Sequence, residues 1–207
     1  MPSLFEENEI EEILLENGTL FFIKNFLKKE VAADYFEKLQ QNIDWSQGEI
    51  KLFGKTHQEP RLTAWYGDEG KSYRYSGKNN VPLAWNPTLL TLKNTLEAYP
   101  PVSDAFLGGF NSVLLNFYRN GQDSMGWHSD DEPELGKNPV IASLNLGATR
   151  RFLVRSKTDK SARLGIDLSH GSLLVMAGAM QHHWQHAIPK TTKTVLPRIN
   201  LTFRHIF

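Results

Sequence analysis

The segment from Arg198 to Arg204 alternates strictly between polar and apolar side chains. Because successive side chains of a β-strand point to opposite faces, this alternation predicts a strand with an apolar core side and a polar side. The polar side would consist of Arg198, Asn200, Thr202 and Arg204. A buried charge without a partner is costly, so two arginines on an inward face require an anionic ligand. A dicarboxylate fits, with one end held by a forked guanidinium group.

Asn116 and Tyr118 repeat this pattern in the strand-like run 112–119. They would share one strand face, where their polar ends could bond the same ligand. Taken singly, each is better interpreted as a side chain that faces solvent. Their combination with the polar side of 198–204 favours a common binding face.

Helical and strand-like patterns occupy different parts of the chain. Apolar residues recur at helical spacing between residues 27 and 43, which predicts an amphipathic helix. Asn86 followed by Pro87 predicts the start of a second helix, which should end before Pro100. Short aromatic-rich strands lie between the two helices, and longer runs follow at 112–119, 140–146, 150–155, 172–177 and 197–206. This order predicts an α+β protein whose second half is a β-sandwich or barrel.

Length and composition limit the possible classes of protein. The 207 residues contain no linker, which indicates one domain over 21–207 after an acidic segment, 1–20, that would be a short helix or a flexible tail. Acidic and basic side chains are equal in number, which excludes a polybasic protein. Basic residues between Arg150 and Arg163 could still contact phosphates or form a solvated face. We expect a soluble monomer without membrane contact, cytoplasmic or, in a eukaryote, nuclear.

The absence of cysteine leaves nitrogen and oxygen as the ligands for any metal. His128 and Asp130 lie two residues apart and would share a strand face. A second imidazole could come from His182, His183 or His186. Two imidazoles and a carboxylate on one side leave coordination positions open, as Fe(II) requires when it binds a cosubstrate and dioxygen.

Several motifs together resemble the AlkB family of Fe(II)/2-oxoglutarate dioxygenases over about residues 50–207. They are Asn116-Phe117-Tyr118, His128-Ser129-Asp130-Asp131, 142–147, 170–176, His183-Trp184-Gln185-His186 and 197–204. The resemblance implies a double-stranded β-helix, or jelly roll, with a catalytic core at 108–207, flanking N-terminal helices and a nucleotide-recognition lid at 50–80. It also implies that His128, Asp130 and His186 bind the iron. The 2-oxoglutarate ligands would be Asn116, Tyr118, Arg198, Asn200, Thr202 and Arg204.

Within the family, the chain is similar to the branch that repairs duplex DNA. That similarity implies that Phe53, in Leu52-Phe53-Gly54-Lys55, fills the gap left by a flipped nucleotide. Tyr75 would stack on the flipped base, and Asp131 would face it. The remaining substrate contacts would be Gly54, Lys55, Arg61, Tyr73 and Arg74, with Lys55 and Arg61 near phosphates. The aromatic residues could instead be ordinary packing residues, and Thr56 departs from the bulky aromatic often found in that branch.

The implied activity is oxidative demethylation of bases such as 1-methyladenine and 3-methylcytosine in DNA, with release of formaldehyde and succinate. An RNA or single-strand demethylase is an alternative with the same chemistry. A zinc hydrolase would use the same three ligands but needs neither oxygen nor 2-oxoglutarate, and it leaves the two arginines unexplained. A non-catalytic nucleic-acid-binding module would bind in a salt-sensitive way without producing succinate.

Overall fold

The computed structural model describes residues 9–52, 54–71, 73–75, 78–103 and 108–207. Within these ranges the strands outnumber the helices. The strands are β1 Ile10–Leu15, β2 Gly18–Ile23, β3 Glu49–Leu52, β4 Lys55–Gln58, β5 Leu62–Gly67, β6 Tyr73–Tyr75, β7 Lys78–Asn80, β8 Leu83–Ala84, β9 Ser112–Tyr118, β10 Met125–His128, β11 Ile141–Gly147, β12 Arg150–Ser156, β13 Arg163–Leu168, β14 Leu173–Ala177, β15 Trp184–Ile188 and β16 Arg198–Arg204. The helices are α1 Lys29–Asn42, α2 Pro87–Glu97, α3 Pro100–Ser103 and α4 Met180–His183.

Two sheets form the core of the protein. The larger has the strand order β1-β2-β14-β11-β16-β9-β5-β8, and the smaller has the order β10-β15-β12-β13. Buried side chains of both sheets form one apolar cluster, in which Met176 of β14 and Phe152 of β12 take part. The opposite face of the larger sheet packs against α1 and α2 through residues such as Leu39 and Leu92. Two facing, mainly antiparallel sheets are consistent with the predicted jelly roll.

The two longer helices confirm the sequence predictions for these segments. Helix α1 lies within the predicted range 27–43 and buries Ala32 and Leu39. Helix α2 begins at Pro87, and the Asn86 side chain accepts a hydrogen bond from the Leu89 backbone N–H. This bond satisfies one of the free N–H groups in the first turn.

The acidic N-terminal segment was expected to be a helix or a tail, and this expectation is wrong for residues 10–15. They form strand β1, which pairs with β2 through a two-residue turn of Glu16 and Asn17. Asn17 has φ 61°, a left-handed conformation that asparagine tolerates in tight hairpins. Strand β2 pairs in turn with β14, so a boundary after residue 20 would fall inside the main sheet.

The segment 50–80, predicted as a lid, contains two small hairpins, β3-β4 and β6-β7, each forming a two-stranded sheet. Gly54 has φ 76° at the turn of the first hairpin, a conformation that favours glycine. Phe53 lies outside the described residues. Among the described residues, none of the helices combines the length and the apolar character that a membrane span requires.

Candidate active site

Three potential metal ligands meet where strand β10 pairs with β15. His128 and His186 are direct partners in this antiparallel ladder, and Asp130 follows two residues after His128. One nitrogen or oxygen from each of the three side chains lies within 4.8 Å of the others. The two imidazole rings are 4.2 Å apart, centre to centre. Strand pairing therefore assembles a two-histidine, one-carboxylate group from separate parts of the chain.

Backbone contacts orient these ligands. The Nδ1 atom of His128 lies 2.8 Å from the Gly126 carbonyl oxygen, to which it can donate, and this leaves Nε2 for a metal. The backbone N–H of Asp130 donates to Gln181 Oε1 at 3.0 Å, and the Ser129 hydroxyl donates to the Trp184 carbonyl at 2.8 Å. The loop that carries Asp130 is thus fixed to α4 and β15.

The protonation states suit metal binding at neutral pH. Burial raises the pKa of the Asp130 carboxyl, but the Arg204 guanidinium and the two imidazoles together hold this pKa well below its usual range. Arg204 Nη2 donates to Asp130 Oδ2 at 3.0 Å. Burial, and then the neighbouring His128, lower the pKa of His186 to about 3. The aspartate is therefore ionised and His186 is neutral, which are the forms that coordinate metals.

A cavity of about 440 Å³ adjoins the three ligands. The polar residues predicted for the last strand and for β9 all line it, namely Asn116, Tyr118, Arg198, Asn200, Thr202 and Arg204. The apolar residues of the same strand, such as Leu201, face the opposite cluster beside the helices. The predicted alternation along 198–204 is confirmed.

Arg198 places a buried positive charge in the cavity wall. Its side chain is almost completely buried and donates through Nη2 to Asn145 Oδ1 at 2.6 Å. Its Nε and Nη1 groups have no hydrogen-bond partner in the described part of the chain, and its guanidinium lies 4.9 Å from the Tyr118 ring centre. Burial lowers the pKa of Arg198 to about 10, so the group remains charged at neutral pH. A carboxylate is the ligand that two free N–H groups of a guanidinium fit.

Two arginines that were considered as phosphate contacts prove to be buried. Arg61 is only 3% exposed, and Arg150 has the same exposure. Arg61 bonds Asn116 and Glu59 in the cavity wall. Arg150 donates to three backbone carbonyls, those of Asn120, Asp123 and Pro189. Burial and these internal partners argue against contact of either residue with an external phosphate.

The other predicted substrate residues are dispersed. Lys55 is exposed on β4, next to Gly54. Asp131 is exposed and accepts a hydrogen bond from Lys157 at 2.8 Å. Tyr73, Arg74 and Tyr75 form β6, and their side chains lie outside the described part of the structure. The alternative ligands His182 and His183 lie on α4 and take no part in the three-residue group.

The sequence interpretation missed Glu132. This residue lines the cavity, and its buried Oε2 atom has no hydrogen-bond partner among the described residues. The sequence did contain a signal for it. In an extended segment the side chains of residues 128, 130 and 132 point to the same side, whereas that of residue 131 points to the opposite side. Glu59, which also lines the cavity and is buried, carried no comparable signal.

A jelly-roll-like core with two imidazoles and one carboxylate on one side of a cavity defines a class, the non-haem Fe(II) oxygenases with open coordination positions. Comparison with known proteins agrees. The family model described as the 2OG-Fe(II) oxygenase superfamily matches residues 19–204. The human protein named alpha-ketoglutarate-dependent dioxygenase alkB homolog 3 is 45% identical over 218 aligned positions, which cover all of this chain and 73% of that protein.

A second human relative, DNA oxidative demethylase ALKBH2, is 37% identical over 86% of this chain and 70% of its own length. A solved structure described as that of OsALKBH1 superposes with a TM-score of 0.68 at 19% identity, covering 94% of this chain and all of the other, and supports the fold alone. The chain therefore belongs to the AlkB family of Fe(II)/2-oxoglutarate-dependent dioxygenases. It is an enzyme that uses iron, 2-oxoglutarate and dioxygen, as the sequence resemblance implied.

Proposed function

We propose that this enzyme oxidatively demethylates alkylated bases in DNA, of the 1-methyladenine and 3-methylcytosine type, and acts in alkylation repair. The products would be formaldehyde and succinate. The observation that carries the proposal is the unpartnered, buried carboxylate oxygen of Glu132 in the same cavity as the metal ligands. The relatives named DNA oxidative demethylase are consistent with this substrate class.

Methylation at N1 of adenine or N3 of cytosine gives a base that is a cation and carries an exocyclic amino group. A buried carboxylate can accept a hydrogen bond from that amino group and stabilise the positive charge. Other carboxylates that line the cavity are Asp44, Glu49 and Glu59. The cavity volume, about 440 Å³, is within the usual range for small-molecule sites. A cavity lined by both carboxylates and arginines suits a cationic base and a dicarboxylate together.

The roles of the chain's residues follow from this arrangement. His128, Asp130 and His186 would hold Fe(II), which with 2-oxoglutarate and dioxygen supplies oxidation of the N-methyl carbon coupled to decarboxylation. Arg198 would bind one carboxylate of the cosubstrate, and the polar groups of β9 and β16 would orient it. Arg204 would hold the Asp130 carboxylate in place and add positive charge beside the metal. Fixed geometry lowers the entropic part of the barrier.

We assign the lid role to segment 50–80. Phe53 would occupy the gap left by the flipped base, and Tyr75 would stack on that base beside His128. Gly54, Lys55, Tyr73, Arg74 and Asp131 would complete the contacts with the nucleic acid. We infer a monomer that acts where DNA is found, in the cytoplasm or the nucleus.

Formaldehyde release from methylated duplex DNA, single-stranded DNA and RNA of one sequence tests the proposal. We expect release from the methylated DNA, none from the unmethylated duplex and none with His128→Ala. Activity on the duplex should fall in Phe53→Ala. A strong preference for single strands or RNA, unchanged by Phe53→Ala, would favour the alternative substrate and contradict the duplex assignment.

A further inference from the structure

Arg61 lies in the cavity wall. It directly precedes β5, in which Thr63 pairs with Asn116 of β9. Its Nε group donates to Asn116 Oδ1 at 2.7 Å, and its Nη2 group is 3.4 Å from Glu59 Oε2. All three side chains are buried, and all line the cavity.

The bond from Arg61 determines which way the Asn116 amide points. A guanidinium group has donors only, so the atom of Asn116 that faces it must be the oxygen. The amide nitrogen then points away from Arg61, and it has no hydrogen-bond acceptor in the described part of the chain. An asparagine held in this way presents N–H groups that can donate hydrogen bonds to a carboxylate.

Asn200, the second asparagine that lines the cavity, already has protein partners for both its amide nitrogen and its amide oxygen. The Asn200 amide nitrogen donates to Ser143 Oγ at 2.8 Å and to the Leu144 carbonyl at 3.2 Å. Its oxygen accepts from the Thr202 hydroxyl at 3.0 Å. Of the two asparagines, Asn116 is therefore the one whose amide nitrogen is available to a ligand.

We propose that Arg61 is a positioning residue for 2-oxoglutarate: it fixes the Asn116 amide so that its N–H groups face the cosubstrate. Glu59 holds the guanidinium in place and neutralises its charge. The inference rests on the proposed function, in which Asn116 binds 2-oxoglutarate. It gives Arg61 a role in the interior of the enzyme instead of at the phosphate backbone.

The test is calorimetric titration of Fe(II)-loaded protein with 2-oxoglutarate without oxygen. The variant Glu59→Gln with Arg61→Met removes the orienting bond and leaves the net charge of the cavity unchanged. It should weaken binding about tenfold, the usual scale for a hydrogen bond to a charged group. Asn116→Ala should weaken binding by a similar factor, and the triple variant no further, because both changes remove the same interaction.

Arg151→Met is the matched control, since Arg151 is half exposed, pairs with Asp167 and does not line the cavity. It should leave 2-oxoglutarate affinity unchanged. If the double variant does not fold, two single variants replace it. Arg61→Lys still has only donors and should retain the affinity for 2-oxoglutarate. Arg61→Gln has an oxygen that can accept from the Asn116 amide nitrogen, so the amide can rotate by 180° and the affinity should be lost.

Several results would overturn the inference. Unchanged affinity in the double variant, or equal affinity in Arg61→Lys and Arg61→Gln, would exclude positioning by Arg61. A triple variant weaker than Asn116→Ala by the full factor would mean that Arg61 acts on the cosubstrate directly. Unchanged affinity in Asn116→Ala would mean that Asn116 does not contact the cosubstrate. None of these titrations contains nucleic acid. A failure of the demethylation proposal would appear in the formaldehyde assay and not in these affinities.

Discussion

At the scale of single residues, two oppositely charged side chains of the site, Arg198 and Glu132, have buried polar atoms without a protein partner among the described residues. Arg198 leaves two N–H groups free, and Glu132 leaves one carboxylate oxygen free, among the residues that the structure describes. Both line the same cavity. A buried polar group without a partner costs free energy, of the order of 1–3 kcal/mol, unless a ligand supplies the missing bond. Their opposite charges indicate one anionic and one cationic ligand.

Arg198→Met should weaken 2-oxoglutarate binding by roughly tenfold to a hundredfold, because a charged, buried hydrogen-bonding group is lost. Affinity for the metal should change little, since Arg198 contacts none of the three ligands. Titration with 2-oxoglutarate and with Fe(II) separates the two effects. Arg198→Lys should not restore binding, because a lysine provides a point charge instead of a fork. Full affinity in the methionine variant would contradict the site.

Glu132→Gln should reduce kcat/KM for methylated DNA by about tenfold, because the amide removes the negative charge that faces the base. The dissociation constant of 2-oxoglutarate should not change. Asp131→Asn makes the same change of charge one residue earlier, at an exposed site paired with Lys157. A larger loss in Asp131→Asn than in Glu132→Gln would show that residue 131 faces the base, as the sequence resemblance implied.

At the scale of elements, the pairing of strands determines which residues meet. His128 and His186 were predicted as ligands because their motifs are specific, and their meeting follows from the register of β10 with β15. The polar side of β16 was predictable from the two-residue period alone. The burial of Arg61 was not predictable, because its partner Asn116 is 55 positions away and is brought close only by the pairing of β5 with β9.

The N-terminal hairpin shows a signal that was present but not used. The turn residues are Glu16 and Asn17, and the Asn17-Gly18 pair between apolar runs is a common hairpin signal, yet the acidic residues before it favoured a helix or a tail. Strands β13 and β15 were not separated from their surroundings because they carry mixed polarity. Their positions depend on neighbours in the smaller sheet, which a local pattern does not contain.

Gly147, at the end of β11, should not tolerate a side chain. It has φ 88°, and a Cβ atom there would clash with the Pro197 carbonyl oxygen, which precedes β16. Gly147→Ala should therefore lower the free energy of unfolding by about 1–3 kcal/mol or more. Gly126→Ala is the control, since no atom lies within 4 Å of its added Cβ. Urea unfolding would measure both variants, and equal midpoints would contradict the prediction.

The loop between β9 and β10 should make stability depend on pH. Burial raises the pKa of the Asp123 carboxyl, but hydrogen bonds from Arg119 outweigh it and lower the pKa below its usual value. The folded state therefore binds this proton less readily than the unfolded state, and the stabilisation present above about pH 4 is lost as the pH falls further. Asp123→Asn should be less stable than the wild type at pH 6.

Urea midpoints of wild type and Asp123→Asn, measured from pH 6 to pH 3, test this linkage. The difference between the two proteins should shrink as the pH falls below about 4, because the unfolded wild-type protein then binds a proton at Asp123 more readily than the folded protein does. A difference that stays constant over the whole range would mean that the Arg119 pair does not affect stability through ionisation.

At the scale of the whole molecule, one cavity is lined by the metal ligands, by the groups proposed to bind the cosubstrate and by those proposed to bind the base. One wall carries the metal ligands of β10 and β15, and the larger sheet contributes the polar groups of β9 and β16. Carboxylates such as Glu132 line the part that we assign to the base. All these groups line the same cavity. We therefore expect changes in β9 and β16 to affect cosubstrate binding, and changes in the carboxylates to affect substrate binding.

The most direct test of the account is a single-turnover experiment. Fe(II) and 2-oxoglutarate are bound without oxygen, then oxygen and a methylated DNA duplex are added, and succinate and formaldehyde are measured together. We expect equal amounts of both products, and neither product when oxygen or 2-oxoglutarate is omitted. Demethylation that proceeds without 2-oxoglutarate, or with Asp130→Ala, would contradict an iron centre held by His128, Asp130 and His186.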